Sequence, residues 1–373
     1  MNPPLIQYLS DISFEPGALK ILPDLLRRLS ILNPLVVTDR GLSSMGILER
    51  LGIATPPVFD QVETNPSDAS ANLGLEIFRK HNCDGIIAVG GGSPIDCAKC
   101  IGLLVNHPAP LSDYTFLNGG LSKITGNKPP LIAIPTTAGT GTEVGRAALV
   151  SMSNGRKLAI ISPHMIPNAV ICDPSLTLGL PKALTAGTGM DAIAHCVETY
   201  CSPRFNPVAE AIALDGLARA FANIRVAVNR GANLNARGEM MMAALQGGLT
   251  FQKGLGLVHS LSHPLGGLQE RRLHHGTLNA IFLPHVLRFN LEAIPEKMVR
   301  LAQAVGAAAP SDIPGVFEKL SSEIGLPSRL RDMGVMREDL DPLAEFALQD
   351  HSSPTNPRLV TQAVCKQMYD DAF

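Results

Sequence analysis

The apolar run Gly85-Ile86-Ile87-Ala88-Val89 passes directly into Gly90-Gly91-Gly92-Ser93-Pro94-Ile95-Asp96, and a helical stretch follows. A short, wholly apolar segment ending in three glycines and continuing as helix has the form of a buried strand, a tight turn and a helix start. Residues 35–38, 131–134 and 170–172 are runs of the same kind. Residues 67–80, with a capping Ser67 and with Leu75 and Phe78 at helical spacing, read as a crossover helix. The first half is therefore expected to be α/β, built on a parallel sheet. After about Pro181 the strand signals stop. Asn206-Pro207 is a cap followed by proline, and Ala213, Leu217, Ala220 and Ile224 then recur at three- and four-residue steps. Val316, Leu320 and Ile324, closed by Gly325 and Pro327, repeat the pattern. The 373 residues suit two cores. The expected division is an α/β domain, residues 1–178, and an all-helical domain, residues 179–373.

Composition narrows the partners. Lys and Arg total 31 against 33 Asp and Glu, a formal charge of −2, and no long basic run occurs. A nucleic acid or an anionic membrane is therefore not an expected partner. No apolar stretch approaches the roughly 20 residues needed to cross a bilayer, and residues 1–17 lack a cationic region followed by an apolar one, so the expected compartment is the cytoplasm. The 7 cysteines are odd in number and scattered, which suits reduced thiols. Cys97 and Cys100 have redox spacing, but inside a helix they read as small packing residues.

Bare backbone at a helix start lets a phosphate approach exposed N–H groups at the positive end of the helix, so the triple glycine is a natural diphosphate site. The run Pro135-Thr136-Thr137-Ala138-Gly139-Thr140-Gly141-Thr142-Glu143 follows another strand and offers hydroxyls to phosphate or ribose oxygens. Neither loop matches GxGxxG or the Walker pattern. Asp39 ends the run 35–38, where an acidic side chain can accept from ribose hydroxyls and repel a 2′-phosphate; it is equally placed to be a turn aspartate. Arg40 beside it weakens any strict preference for NAD over NADP.

Asp191 and His195 are four apart in a helical stretch and share a face. His259 and His263 repeat that spacing, and His274-His275-Gly276 follows soon after. So many imidazoles and one carboxylate in an apolar region need partners, and one divalent cation would satisfy them together. These residue types suit Fe²⁺, Zn²⁺ or similar ions without deciding among them. The His pair lacks the Glu of HExxH, which removes the metalloprotease reading. A cation that binds an alcohol oxygen lowers its pKa, and hydride release to a nicotinamide becomes easy.

Together these segments resemble the iron-containing (group III) alcohol dehydrogenase family: GGGSPID from Gly90, PTTAGTGTE from Pro135, TGMDAIAH from Thr188, GLGLVHSLSHPLG from Gly254 and HGTLNAIFLPHVLRFN from His275. Within it the chain is most similar to the 4-hydroxybutyrate dehydrogenases, especially around residues 251–256 and 273–279. The resemblance implies an N-terminal nucleotide-binding domain, a helical C-terminal domain, an active site in the cleft between them, and a homodimer. It further implies that Asp191, His195, His259 and His275 bind one divalent metal, Fe²⁺ before Zn²⁺. His274 competes with His275 for the last place, and His275 is preferred because it precedes the Gly of the family's HG pair. His263 would stand by nicotinamide and substrate with a part in proton relay. The matching cofactor positions are Asp39, Asn65, Gly91, Gly92, Ser93, Asp96, Thr136, Thr137, Thr140 and Lys157.

A substrate with a distal carboxylate needs a cation. Arg146 is the first candidate, and Lys253, Arg271 and Arg272 follow; each could equally be a solvated surface charge. The expected reaction is oxidation of 4-hydroxybutyrate to succinate semialdehyde with NAD. The alternatives are a general primary alcohol or diol dehydrogenase and, in another class, a lyase like dehydroquinate synthase.

Overall fold

The computed structural model describes residues 8, 10–108, 110–268, 271 and 273–373. Its contacts separate two units, one of Tyr8–Thr137 with Thr142–Thr177, the other of Ala138–Gly141 with Leu178–Phe373.

The first unit is α/β. Its strands are β1 (Asp11–Phe14), β2 (Pro34–Val37), β3 (Val58–Phe59), β4 (Gly85–Gly90), β5 (Leu131–Pro135), β6 (Ala147–Ser151), β7 (Lys157–Ile161) and β8 (Ala169–Cys172). Six of them form a sheet in the order β1-β8-β5-β4-β2-β3, every neighbouring pair parallel. The remaining two, β6 and β7, form an antiparallel hairpin. Helices α1 (Leu22–Arg28), α2 (Arg40–Ser44), α3 (Ile47–Arg50), α4 (Asp68–Lys80) and α5 (Gly92–Asn106) complete the unit.

Side chains on a strand alternate between faces, so a sheet covered on both sides needs apolar residues throughout. Leu35, Val37, Ile86, Ala88, Leu131 and Ala133 enter one core with Leu75, Phe78 and Ile101. Val36, Ile87, Val89, Ile132 and Ile134 enter another with Leu22 and Leu25. That is why β4 reads as an unbroken apolar run. The Ser67 hydroxyl accepts from the Ser70 N–H and starts α4 where the sequence places the cap.

Asp173, just past β8, closes the sheet's edge. Its carboxylate accepts from the N–H groups of Gly17 and Leu19, beyond β1, and from Ser175. Burial opposes its charge, but these donors outweigh burial and hold the carboxyl below its ordinary value of 3.8. Asp173→Ala is expected to lower the free energy of unfolding by about 2 kcal/mol, seen as a lower urea midpoint at neutral pH. A carboxylate with a depressed folded-state pKa stabilises above its unfolded value, so the difference from wild type should shrink as acid protonates the folded form.

The second unit contains α6 (Lys182–Cys201), α7 (Pro207–Asn229), α8 (Leu234–Leu249), α9 (Leu257–Gly266), α10 (His275–Asn290), α11 (Pro295–Val305), α12 (Ile313–Glu323), α13 (Arg337–Gln349) and α14 (Gln362–Ala372). From Thr185 to Cys201, α6 is buried at every position, and it packs on α7, α8 and α10. A helix that is apolar all round is a core helix, so the polar residues it does carry are conspicuous. Among the described residues no helix is long and apolar enough to cross a membrane.

Candidate active site

Three helices supply one cluster in the helical unit. On α6, Asp191, His195 and Glu198 occur at three- and four-residue steps and face the same way. His259 and His263 lie on α9, and His275 and Asn279 on α10. One carboxylate oxygen is the centre: Asp191 Oδ1 lies 3.5 Å from His195 Nε2, 3.7 Å from His259 Nε2 and 3.6 Å from His275 Nε2. The Asn279 amide is 2.7 Å from the same oxygen and 3.2 Å from the Nε2 atoms of His259 and His275. The close approach of α10 to α6 depends on glycine, because a Cβ on Gly276 would stand 2.1 Å from the Gly187 carbonyl oxygen.

Ring orientation is set from behind. His195 donates through Nδ1 to the Gly139 carbonyl, 3.2 Å away, and Gly139 lies in the segment Ala138–Gly141 that packs within this unit. His259 Nδ1 is 2.6 Å from Glu198 Oε2. Burial pushes His195 down to about 4, leaving a neutral ring at pH 7. Burial also opposes charge on His259, yet hydrogen bonds to Asp191 and Glu198 outweigh it and hold the ring up to about 9. Burial works against the Asp191 anion too, but the imidazoles of His195, His275 and His259 keep it well below the usual carboxylate range.

One buried carboxylate and three imidazoles thus meet in one place, a donor set that fits a divalent cation, with outer hydrogen bonds to Gly139 and Glu198 already aiming two of the rings. Asn279 Oδ1, buried in the cluster, has no hydrogen-bond partner among the described residues.

His263 stacks on His275, ring centroids 5.3 Å apart, and its Nδ1 is 2.9 Å from Asp350 Oδ2. His351 Nδ1 lies 3.5 Å from the other Asp350 oxygen. Burial pushes His263 down to about 4, against the pull of Asp350. His274 is a helix cap: its Nδ1 accepts from the Thr277 N–H, with the Thr277 hydroxyl 3.0 Å away. The ring that faces Asp191 is that of His275.

Two of the basic residues considered for a substrate carboxylate are engaged elsewhere. The Lys253 ammonium is buried on the carbonyls of Tyr200 and Ser202 and 3.0 Å from Glu210, so it staples helix ends together. This removes Lys253 as a substrate contact, because a second carboxylate would have to displace those partners. Arg271 grips Asp339 at 2.7 Å and the Gly334 carbonyl. Arg272 lies outside the described residues.

In the α/β unit, β2, β4 and β5 are neighbours, so the segments beyond their carboxyl ends open along one edge. They carry Asp39, then Gly90 to Ser93, then Thr136 and Thr137. Gly90 has φ +152°, which disfavours any side chain, and the start of α5 at Gly91 and Gly92 carries no side-chain cap. Ser93 Oγ accepts from the Asn65 N–H, and Lys157 donates to Asn65 Oδ1 at 2.6 Å, which brings these three together. Asp39 caps α2 through Oδ1. Thr136 donates its N–H to the Gly90 carbonyl. Thr140 lies instead in the segment that packs within the helical unit.

Asp96 turns inward, accepting from the Thr142 hydroxyl at 2.5 Å and the Leu149 N–H at 3.0 Å. Both its oxygens are occupied by protein, so it anchors the 142–149 segment. Lys99 does the same from the next turn, its ammonium on the carbonyls of Thr142, Gly145 and Ala147. Burial pulls that ammonium down to about 8, with Asp96 and Glu143 opposing.

Sequence reasoning missed Glu198, Asn279 and Asp350. The first two could have been found as polar residues one helical turn beyond His195 and His275. Asp350 follows α13, far from His263 in the chain, and gives no local signal.

The model of the iron-containing alcohol dehydrogenase family matches residues 10–174, and that of the C-terminal region of the Fe-containing alcohol dehydrogenase family matches residues 185–373. The chain is 44% identical to 4-hydroxybutyrate dehydrogenase of Cupriavidus necator over 99% of both chains. It is 40% identical to 1,3-propanediol dehydrogenase of Citrobacter freundii over 96% of both. The solved structure of a 1,3-propanediol oxidoreductase superposes with a TM-score of 0.91 at 38% identity, covering 99% of this chain and 100% of that one.

Proposed function

The chain belongs to the iron-containing alcohol dehydrogenase family, an oxidoreductase family, and from that membership we propose that it interconverts 4-hydroxybutyrate and succinate semialdehyde, with NAD(H) as the hydride carrier. The cation is Fe²⁺ in this reading, held by Asp191, His195, His259 and His275. The observation that carries it is the convergence of three imidazole Nε2 atoms on Asp191 Oδ1 at 3.5–3.7 Å. A divalent cation supplies Lewis acidity toward an alcohol or carbonyl oxygen. The chain's own residues do the rest. Asp191 and the three rings would hold the cation, and Gly139 and Glu198 keep two of those rings in place. His263, kept neutral by burial and aimed by Asp350, is the base nearest the cluster.

NAD is assigned to the edge beyond β2, β4 and β5, with Asn65, Gly91, Gly92, Ser93, Thr136, Thr137 and Lys157 as its contacts. Asp39 favours NAD over NADP by repelling a 2′-phosphate. Asp96 supports this site from within. The assembly is a homodimer, as the family resemblance implies. The compartment is the cytoplasm, which suits seven free, buried cysteines.

For the substrate carboxylate the reading relies on Arg146. Lys99 clasps the carbonyls on either side of it, Gly145 and Ala147, and the Ser162 N–H holds its own carbonyl at 3.0 Å, so the side chain springs from a fixed point. A charge-assisted bond to a carboxylate contributes about 1.5–3 kcal/mol, roughly a tenfold effect or more. Arg146→Ala is therefore expected to raise KM for 4-hydroxybutyrate at least about tenfold and leave butan-1-ol unchanged, followed as NADH absorbance. Equal effects on both substrates would support instead a general primary alcohol or diol dehydrogenase, which the likeness to 1,3-propanediol dehydrogenase favours.

A further inference from the structure

We propose that Glu198 is the positioning residue that makes His259 a metal ligand; the proposal rests on the metal reading above and adds a residue to it. Asp191 and His195 ride on α6 and His259 rides on α9, so cation binding requires these two helices to keep their register. Glu198, one turn beyond His195 on α6, reaches across to α9 with both oxygens. Its Oε1 accepts from the Val258 N–H at 2.6 Å, and its Oε2 is 2.6 Å from His259 Nδ1.

A carboxylate oxygen this close accepts from the ring, so Nδ1 holds the proton shared with Glu198, and Nε2, on the Asp191 side, is the nitrogen left for a cation, which displaces any proton there. The start of α9 is shaped to receive this carboxylate. Gly256 caps the helix without any side chain of its own. The Leu257 N–H is answered by Asn356 Oδ1 and the Val258 N–H by Glu198, and an exposed helix start attracts an anion. A Cβ on Gly256 would stand 2.8 Å from Glu198 Oε1 and 3.2 Å from Asn356 Oδ1, so the glycine makes room for the acid. Glu198 and His259 are 5% and 1% exposed, too closed for water to replace either partner.

The test is Glu198→Gln, which keeps the shape but offers only one accepting oxygen. Its oxygen can still accept from the Val258 N–H, but the amide N–H then turned to the ring makes Nδ1 the acceptor and moves the ring proton to Nε2, where the cation would bind. With Zn²⁺ or Co²⁺ titrated into metal-free protein against a chromophoric chelator, the variant is expected to bind 10–100-fold more weakly than wild type. Its NAD affinity and metal-free melting temperature should stay at wild-type values. Metal affinity within twofold of wild type overturns the proposal. His259→Ala in the same titration separates the two layers: if it too binds metal like wild type, the metal assignment itself is wrong. If it loses metal while Glu198→Gln does not, only the role of Glu198 fails. Should Glu198→Gln not fold, ¹⁵N NMR of the wild-type imidazoles decides the matter. In the Zn²⁺-loaded protein, a proton on Nδ1 of His259 with a proton-free Nε2 supports the proposal, and the reverse arrangement refutes it.

Discussion

Replacing His259 with alanine is expected to abolish turnover and strip the protein of its metal while NAD binds with near wild-type affinity. The three effects are separable because they reside in different parts of the chain. His259 contributes one of three Nε2 atoms gathered on Asp191 Oδ1, and it also anchors the cluster to Glu198. Loss of an outer partner alone weakens metal sites about 10–100-fold, and loss of a ligand should exceed that. Of the residues assigned to NAD near β4, Ser93 and Lys157 both bond to Asn65, and these three with Gly91 and Gly92 belong to the α/β unit while His259 belongs to the helical one. Metal content by mass spectrometry, NAD affinity by calorimetry and NADH formation together check the expectation. Full activity in metal-free His259→Ala protein would end the metal-dependent reading.

How far such a site can be read from sequence depends on whether its signal is local. The strands β2, β4, β5 and β8 were legible because parallel strands buried on both faces must be apolar at every position. By contrast β1 is an edge strand with an exposed first residue, and β3 has only two residues. Neither has enough buried positions to show a pattern. The hairpin β6–β7 sits between the glycine-rich run and β8, and its half-exposed residues blur into loop.

In the site, Asp191 with His195 and His259 with His263 stood out as polar pairs at helical spacing in apolar stretches. His275 was separable from His274 only through the family's HG pair, because a helix cap and a helix residue differ only in backbone geometry. Lys253 shows the opposite failure. A lysine beside a glycine loop reads as a free cation, and nothing in the neighbouring sequence announces the carbonyls of Tyr200 and Ser202 that hold it. Asp96 fails in the same way, since residue type cannot tell an acid facing a ligand from one facing Thr142.

The second large effect concerns a residue with no functional group. Gly276→Ala should cost stability and metal together. The added Cβ would lie 2.1 Å from the Gly187 carbonyl oxygen and 3.0 Å from Asp191 Cβ, and the nearest obstruction is backbone that no rotamer change can clear. The helices α6 and α10 must then part. Overpacking of this kind costs roughly 1–3 kcal/mol, and a backbone clash belongs at or above the upper end. Because Asp191 is on α6 and His275 on α10, separation by even a fraction of an ångström lengthens the 3.6 Å approach of His275 Nε2 to Asp191 Oδ1. Metal affinity should therefore fall with stability.

Gly315→Ala is the control. Gly315 lies inside α12 with nothing within 4 Å of its virtual Cβ, and the same change there is expected to be neutral or to stabilise by up to about 1 kcal/mol. Urea unfolding and metal titration of the two variants side by side make the comparison. If Gly276→Ala matched Gly315→Ala in both, the contact between α6 and α10 would not be what brings His275 to the cluster.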